Sequence, residues 1–121
     1  MKNLITIILG ASRNEERYAY KAAVKLVNHG HTIINIGQSN GILAGTSIEL
    51  PGEIHTNIDT ITIYLAPHNQ TALYDYVLRT RPRRIIFNPG AENEELKVLA
   101  QQKGIAVENA CTLVLLATGQ Y

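Results

Sequence analysis

Four short runs of β-branched and aliphatic residues, separated by segments of helical periodicity, constrain the fold of this chain more than any other feature. The runs are LITIIL (4–9), TIINI (32–36), TITIYLA (60–66) and RIIF (84–87). Apolar runs of this length are typical of strands that are covered on both faces. Apolar side chains recur at helical spacing between such runs, over residues 18–29 and again at Leu96, Leu99 and Ala100 in the segment NPGAENEELKVLAQQKG. This alternation predicts a Rossmann-like three-layer α/β domain with a mostly parallel sheet.

The predicted order of elements is β-α-β-loop-β-α-β-α-β, with the first run as the central strand. Gly30 is expected to end the first helix, and Asn69 or Thr71 to cap the second. Residues 37–53 predict a long loop with at most one short strand. A short strand at 105–107 and an edge strand or strand-like tail at 113–116 complete a sheet of five or six strands. The length of 121 residues predicts one domain, 1–121.

The composition excludes several classes of partner. Hydrophobic residues make up 45% of the chain, charged residues 17%, and the formal net charge is +1. This balance is typical of a globular α/β protein and creates no overall field toward nucleic acid or an anionic membrane, so we expect neither as a partner. Cys111 has no second cysteine to pair with, and the N-terminus MKNLITIILG lacks the pattern of an export signal. We therefore expect a cytoplasmic protein.

The loop after the first strand has the strongest features of a binding site. In sheets of this class, ligands bind beyond the carboxyl ends of the strands. The segment GASRNEERYAY combines the small residues Gly10, Ala11 and Ser12 with the guanidinium groups of Arg13 and Arg17. Small residues let a ligand approach the backbone, helix N-termini attract anions, and guanidinium groups suit phosphate. The loop predicts a phosphate-bearing ligand, although the chain has neither GxGxxG in this loop nor a P-loop motif.

Four further loops are expected at the same edge of the sheet. They are GQSNGILAG (37–45), APHNQ (66–70), NPGAEN (88–93) and ENACT (108–112). Gly90 immediately precedes a helix, where free N–H groups are expected, but the glutamates of NPGAENEEL already complement that helix dipole. A phosphate and a neutral part of a ligand therefore remain open alternatives at this loop.

The chain carries no pattern that predicts a metal site or a catalytic nucleophile. Its four histidines have no HExxH or comparable spacing, Cys111 has no second cysteine with which to bind zinc, and no GxSxG motif occurs. We therefore expect no metal and assign no catalytic residue. Cys111 is expected to fill core space near the last strand.

The segments ILGASRNEERYAYKAAVKLVNHGH, IDTITIYLAP and FNPGAENEELKVLAQQKGIAVENAC together resemble the stand-alone CoA-binding proteins of bacteria. These are single-domain relatives of the CoA-binding domain of the succinyl-CoA synthetase α chain. The resemblance spans nearly the whole chain. Its most specific parts are the GAS loop at 10–12, the Arg17–x–x–Tyr20 pair, the glycine before NEE, and the late Cys111.

The resemblance implies that the ligand is CoA or acyl-CoA and that three loops hold it. By this resemblance, the first loop cradles the phosphates with Gly10, Ala11, Ser12 and Arg17. Pro67 lines the path of the adenosine or pantetheine, and Asn88 and Gly90 face the ligand from the rim of the following helix. Where the family has an Asn-Pro-Lys-like turn, this chain has Gly37, Gln38 and Ser39. The lysine that would pair with phosphate is therefore missing.

Other family positions also differ. Glu15 replaces a proline, Leu65 and Ala66 replace arginines, and Ala110 replaces the arginine before the late cysteine. These losses imply a weaker affinity for CoA or a different ligand, and they leave open whether Arg13 compensates for the missing lysine.

The expected function is non-catalytic binding of CoA, acyl-CoA or a related nucleotide in the crevice at the carboxyl ends of the strands. One alternative is a small nucleotide-dependent enzyme that uses His68 or Ser12. The absence of an acidic residue at the end of the second strand, where Asn35 and Gly37 stand, counts against it. Another alternative is an interaction module with a degenerate ligand site, for which the apolar segment NACTLVLLATGQY offers a homodimer edge.

Overall fold

One seven-stranded sheet organises the chain in a computed structural model that describes residues 4–121. Residues 1–3 of the predicted domain, which begin the N-terminal segment considered for export, lie outside the described residues. The strands are β1 (Ile5–Leu9), β2 (Thr32–Ile36), β3 (Ile42–Leu43), β4 (Thr46–Glu49), β5 (Thr60–Ile63), β6 (Arg84–Phe87) and β7 (Ala106–Asn109). The helices are α1 (Tyr18–Asn28), α2 (Tyr74–Thr80), α3 (Glu94–Gln102) and α4 (Thr112–Ala117).

The strand order is β3-β4-β2-β1-β5-β6-β7, so β1 is the central strand, as its continuous apolar sequence predicts. All pairs are parallel except β3 with β4. The parallel register aligns the carboxyl ends of β2, β1, β5 and β6 at one edge of the sheet. The chain passes from β1 to β2 on one side and later to β5 on the other, which places the reversal of strand order at β1.

The hydrophobic core consists of two apolar layers, one on each face of the sheet. Ile7 and Leu9 of β1 pack in one cluster with Val77 of α2 and Leu96 of α3. Ile8 points to the opposite face and packs with Leu26 of α1. This alternation follows from the two-residue period of a strand, and it confirms the predicted three-layer arrangement.

The segment predicted as a strand-like tail is helical. Residues 113–116 lie within α4, which packs against α1. The Thr112 N–H donates to Asn88 Oδ1 at 2.9 Å, and the Leu115 N–H donates to the Cys111 carbonyl at 3.0 Å, which begins the helical turn. Four apolar residues in a row fit a buried strand and a short packed helix equally well, so the prediction was wrong because tertiary packing decides between them.

The segment 37–53 contains two strands where at most one was predicted. After β3 the chain turns through Ala44 and Gly45, with φ of 51° and 82°, and returns as β4, which pairs in parallel with β2. The sheet therefore has seven strands where five or six were expected.

Smaller differences concern boundaries. β5 ends at Ile63, and two 3-10 turns, Pro67–Asn69 and Thr71–Leu73, precede α2. Neither Asn69 nor Thr71 therefore caps that helix. No helix within residues 4–121 has the length and apolarity needed to cross a membrane.

Candidate functional site

A crevice of about 470 Å³ opens at the carboxyl edge of the sheet, where the strand order reverses. It is lined by residues 9–12, 16–19, 36–39, 64–66 and 89–91, together with Pro51 and Leu73. The lining thus comes from the loops after β1, β2, β5 and β6 and from the start of α1. This is the position at which open α/β sheets bind their ligands.

Hydrogen bonds to the end of β2 hold the first loop in shape. The N–H groups of Gly10 and Ala11 both donate to the Ile36 carbonyl at 2.9 Å. Within the loop, the Asn14 N–H donates to Ser12 Oγ at 3.1 Å, and the Glu16 N–H donates to Asn14 Oδ1 at 3.0 Å. The amides of the first two residues are therefore occupied, and the loop presents the start of α1 to the crevice instead.

The N-terminus of α1 provides the electropositive end of the crevice. Arg17 is the N-cap residue with an extended backbone, φ −77° and ψ 142°. In the part of the chain that the structure describes, no side chain caps α1, and its first turn holds no acidic residue. Because the first N–H groups of a helix have no intrahelical partner, Tyr18 and Ala19 leave donors and a partial positive charge at the crevice wall. The Arg17 side chain lines the same wall.

Gly37 allows the first two loops to pack backbone against backbone. A Cβ added at Gly37 would lie 2.5 Å from the Ala11 carbonyl oxygen and 3.2 Å from Ile48 Cγ2. The Gly37 N–H donates to the Glu49 carbonyl at 3.0 Å, which ties this loop to the end of β4. Only glycine fits this contact, and the next residue, Gln38, is exposed at the mouth of the crevice.

The turn before α3 meets the crevice with its charge already balanced. The Gly90 N–H donates to Glu92 Oε1 at 2.8 Å, and Asn93 Oδ1 accepts from the Leu96 N–H at 3.1 Å as the N-cap. Two glutamates occupy the first turn of α3. Of the two alternatives left open by the sequence, this geometry favours contact with a neutral part of a ligand at Gly90.

Asn88 does not face the crevice. Its side-chain nitrogen donates to Thr62 Oγ1 at 2.7 Å and to the Ile63 carbonyl at 2.9 Å, and its oxygen accepts from the Thr112 N–H at 2.9 Å. The residue is 2% exposed. Its donors bond β5 and its oxygen bonds the start of α4, so the expectation that Asn88 faces the ligand is corrected.

The remaining predicted site residues divide between the crevice and its surroundings. Those that line the crevice are Gly10, Ala11, Ser12, Arg17, Gly37, Gln38 and Gly90. Tyr20 is half-buried against the apolar cluster on the α1 face, and Pro67 is exposed at the start of a 3-10 turn, while its neighbours Leu65 and Ala66 line the crevice. Arg13 lies beside the crevice and crosses Gly41.

Sequence reasoning missed an apolar wall and a tyrosine. Pro51, Leu73 and Pro89 approach the crevice from three separate segments, and Tyr64 follows β5 at its floor. Burial raises the pKa of Tyr64 to about 12, so its hydroxyl remains protonated at neutral pH. The position of Tyr64 directly after an apolar strand was a usable signal, whereas no local pattern marks Pro51 or Leu73. Within residues 4–121 no three histidine, cysteine or acidic side chains come together in a way that could hold a metal.

Comparisons with known proteins agree with this architecture. Residues 5–117 match the family model described as a CoA binding domain. The crystal structure of an uncharacterized protein is 41% identical, with a TM-score of 0.97 over 100% of both chains. The structure of cell-free ID.343 from Thermus thermophilus has 18% identity and a TM-score of 0.84, covering 98% of this chain and 91% of that one. A hypothetical protein from Pyrococcus horikoshii OT3 has 18% identity and a TM-score of 0.79, covering 91% and 78%. No curated protein matches the chain.

Proposed function

The chain belongs to the family of CoA-binding domains, and from this premise we propose that its crevice binds CoA or an acyl-CoA. The observation that carries the proposal is the uncapped N-terminus of α1 with the Arg17 side chain beside it, at the edge where the strand order reverses. Free N–H donors, a helix dipole and a guanidinium group together suit the diphosphate of CoA.

The opposite wall of the crevice suits the rest of such a ligand. Pro51, Leu65, Leu73 and Pro89 supply apolar surface. The turn at Gly90 has little capacity for phosphate, because the Gly90 N–H is already bonded to Glu92. A pantetheine arm or a short acyl chain is uncharged and partly apolar, so it matches this wall better than a second phosphate does.

Binding without catalysis is part of the proposal. The ionisable side chains that line the described crevice are Glu16, Arg17, Tyr18 and Tyr64, and Tyr64 remains protonated. The two groups considered for an enzyme are poorly placed, since the Ser12 hydroxyl accepts a bond from Asn14 and His68 is exposed outside the lining. We also propose a cytoplasmic location, because the single cysteine cannot form a disulfide within the chain, and disulfides are typical of proteins from oxidising compartments.

Titration calorimetry with CoA tests the proposal. Wild-type protein is expected to bind with micromolar affinity, and Arg17→Ala to bind about tenfold or more weakly, because a charge-assisted hydrogen bond to phosphate is lost. Arg79→Ala is the matched control: it removes the same charge from the far edge of the sheet, where Arg79 pairs with Asp75 at 3.5 Å. Its affinity should equal that of the wild type. No heat at millimolar CoA, or equal loss in both variants, would overturn the proposal.

A further inference from the structure

The crevice holds too little positive charge for CoA. Among the lining residues that the structure describes, Arg17 is the one lysine or arginine, and the Glu16 carboxylate stands next to it. CoA carries a diphosphate and, separately, a phosphate on its ribose. One arginine and one helix N-terminus suit the diphosphate, since the field of a helix end acts only within its first turn. The ribose phosphate therefore needs a second cation from outside the lining.

Arg13 extends from the first loop toward the end of β2. A Cβ placed on Gly41 would lie 2.4 Å from Arg13 Cδ and 2.6 Å from Arg13 Nε, so the side chain rests directly on the Gly41 backbone. Gly41 has a φ of 137°, a backbone conformation that residues other than glycine rarely adopt. Arg13 is exposed, and no hydrogen bond or ion pair within residues 4–121 engages its guanidinium group. The glycine thus makes room for a cation that remains available.

A second, smaller cavity lies at the same place. It has a volume of about 270 Å³ and is lined by Gln38, Ser39, Asn40, Ile48 and Leu50. Gln38 and Ser39 also line the crevice, so the two spaces adjoin at the end of β2. The polar residues of its lining are uncharged. The Arg13 side chain lies against Gly41, which directly follows the lining residue Asn40.

In dinucleotide-binding folds of this class, an acidic residue near the end of the second strand holds the free 2′-hydroxyl of NAD, whereas an arginine nearby accommodates the 2′-phosphate of NADP. The 3′-phosphate of CoA presents the same charge on a neighbouring ribose carbon, so an arginine suits it for the same reason. The end of β2 has no acidic residue here, since Gly37, Gln38 and Ser39 follow it. We infer that Arg13 binds the ribose phosphate of CoA in the cavity beside Gln38 and Ser39, and that it makes the protein prefer CoA over dephospho-CoA. The inference rests on the proposed function. Arg13 supplies from the first loop the positive charge that the second loop lacks.

Dephospho-CoA differs from CoA only by the ribose phosphate, so the ratio of the two affinities isolates this contact. Calorimetric titration of wild-type protein is expected to give a preference for CoA of about tenfold, the size of one charge-assisted contact at an exposed site. Arg13→Gln should reduce the preference to about twofold or less while leaving the affinity for dephospho-CoA nearly unchanged, because only the charge is removed. The preference of the wild type should also shrink as salt is added.

Arg17→Gln is the matched variant, because it removes an equal charge from the diphosphate end of the crevice. It should weaken both ligands by the same factor and preserve their ratio. If neither ligand binds wild-type protein, the proposed function fails and the inference with it. If both bind, but wild type shows no preference or Arg13→Gln retains it, the inference fails while the proposed function stands. Arg13 is exposed, so the variant should unfold at the same urea concentration as wild type.

Discussion

Gly37→Ala is expected to destabilise the protein by about 2–3 kcal/mol and to abolish CoA binding, because overpacking against a fixed backbone forces a main-chain shift. The new methyl group would lie 2.5 Å from the Ala11 carbonyl oxygen. That oxygen cannot move freely, since the N–H groups of Gly10 and Ala11 are both held by the Ile36 carbonyl. Relief of the clash therefore separates the first loop from the end of β2, and these two segments form opposite sides of the crevice mouth.

Urea denaturation and CoA titration measure the two effects. Gly52→Ala is a suitable control, because a Cβ there meets nothing within 4 Å. The control should keep the wild-type affinity, and its stability should stay equal or rise slightly through the reduced entropy of the unfolded chain. A Gly37→Ala protein with the wild-type urea midpoint and affinity would show that the two loops are not locked together at this contact.

The strands and the first loop could be predicted from sequence because their signals are local. The apolar runs carry the period and composition of buried strands, and the glycine after β1 together with Arg17 marks a strand-to-helix junction suited to anions. The same reasoning failed at residues 113–116, where a short apolar run has no period long enough to separate helix from strand. It also failed to resolve β3 and β4, since strands of two and four residues among turn residues carry little pattern.

The predicted site was incomplete for a different reason. Pro51 and Leu73 belong to the crevice only because β4 ends and α2 begins beside it, and such convergence is a property of the tertiary structure. Arg13 could be identified as a candidate cation, but its direction depends on the absence of a side chain at Gly41, 28 residues further along the chain. Asn88 shows the opposite error, since a polar residue at a strand end is equally suited to bind a ligand or to join neighbouring elements.

Asn88→Ala distinguishes these two roles. Truncation leaves Thr62 Oγ1, the Ile63 carbonyl and the Thr112 N–H without the amide that now bonds all three. Each unsatisfied buried group costs about 1–3 kcal/mol. The loss is partly offset because Thr62 and Thr112 retain their mutual hydroxyl bond and the Ile63 carbonyl still accepts from the Asn88 backbone N–H at 3.4 Å, so we expect a total loss of about 2–4 kcal/mol of stability. The affinity of the folded protein for CoA should remain within about threefold of wild type, because no Asn88 donor is available to the crevice.

Urea denaturation should show this loss, and titration at a temperature where the variant stays folded should show the retained affinity. Asn69→Ala controls for loss of an amide at an exposed position and should change neither quantity. A variant with wild-type stability and with CoA binding weakened more than tenfold would show that Asn88 contacts the ligand. The expected separation of the two effects would instead place it among the groups that hold β5, β6 and α4 together beneath the crevice, where Tyr64 forms the floor.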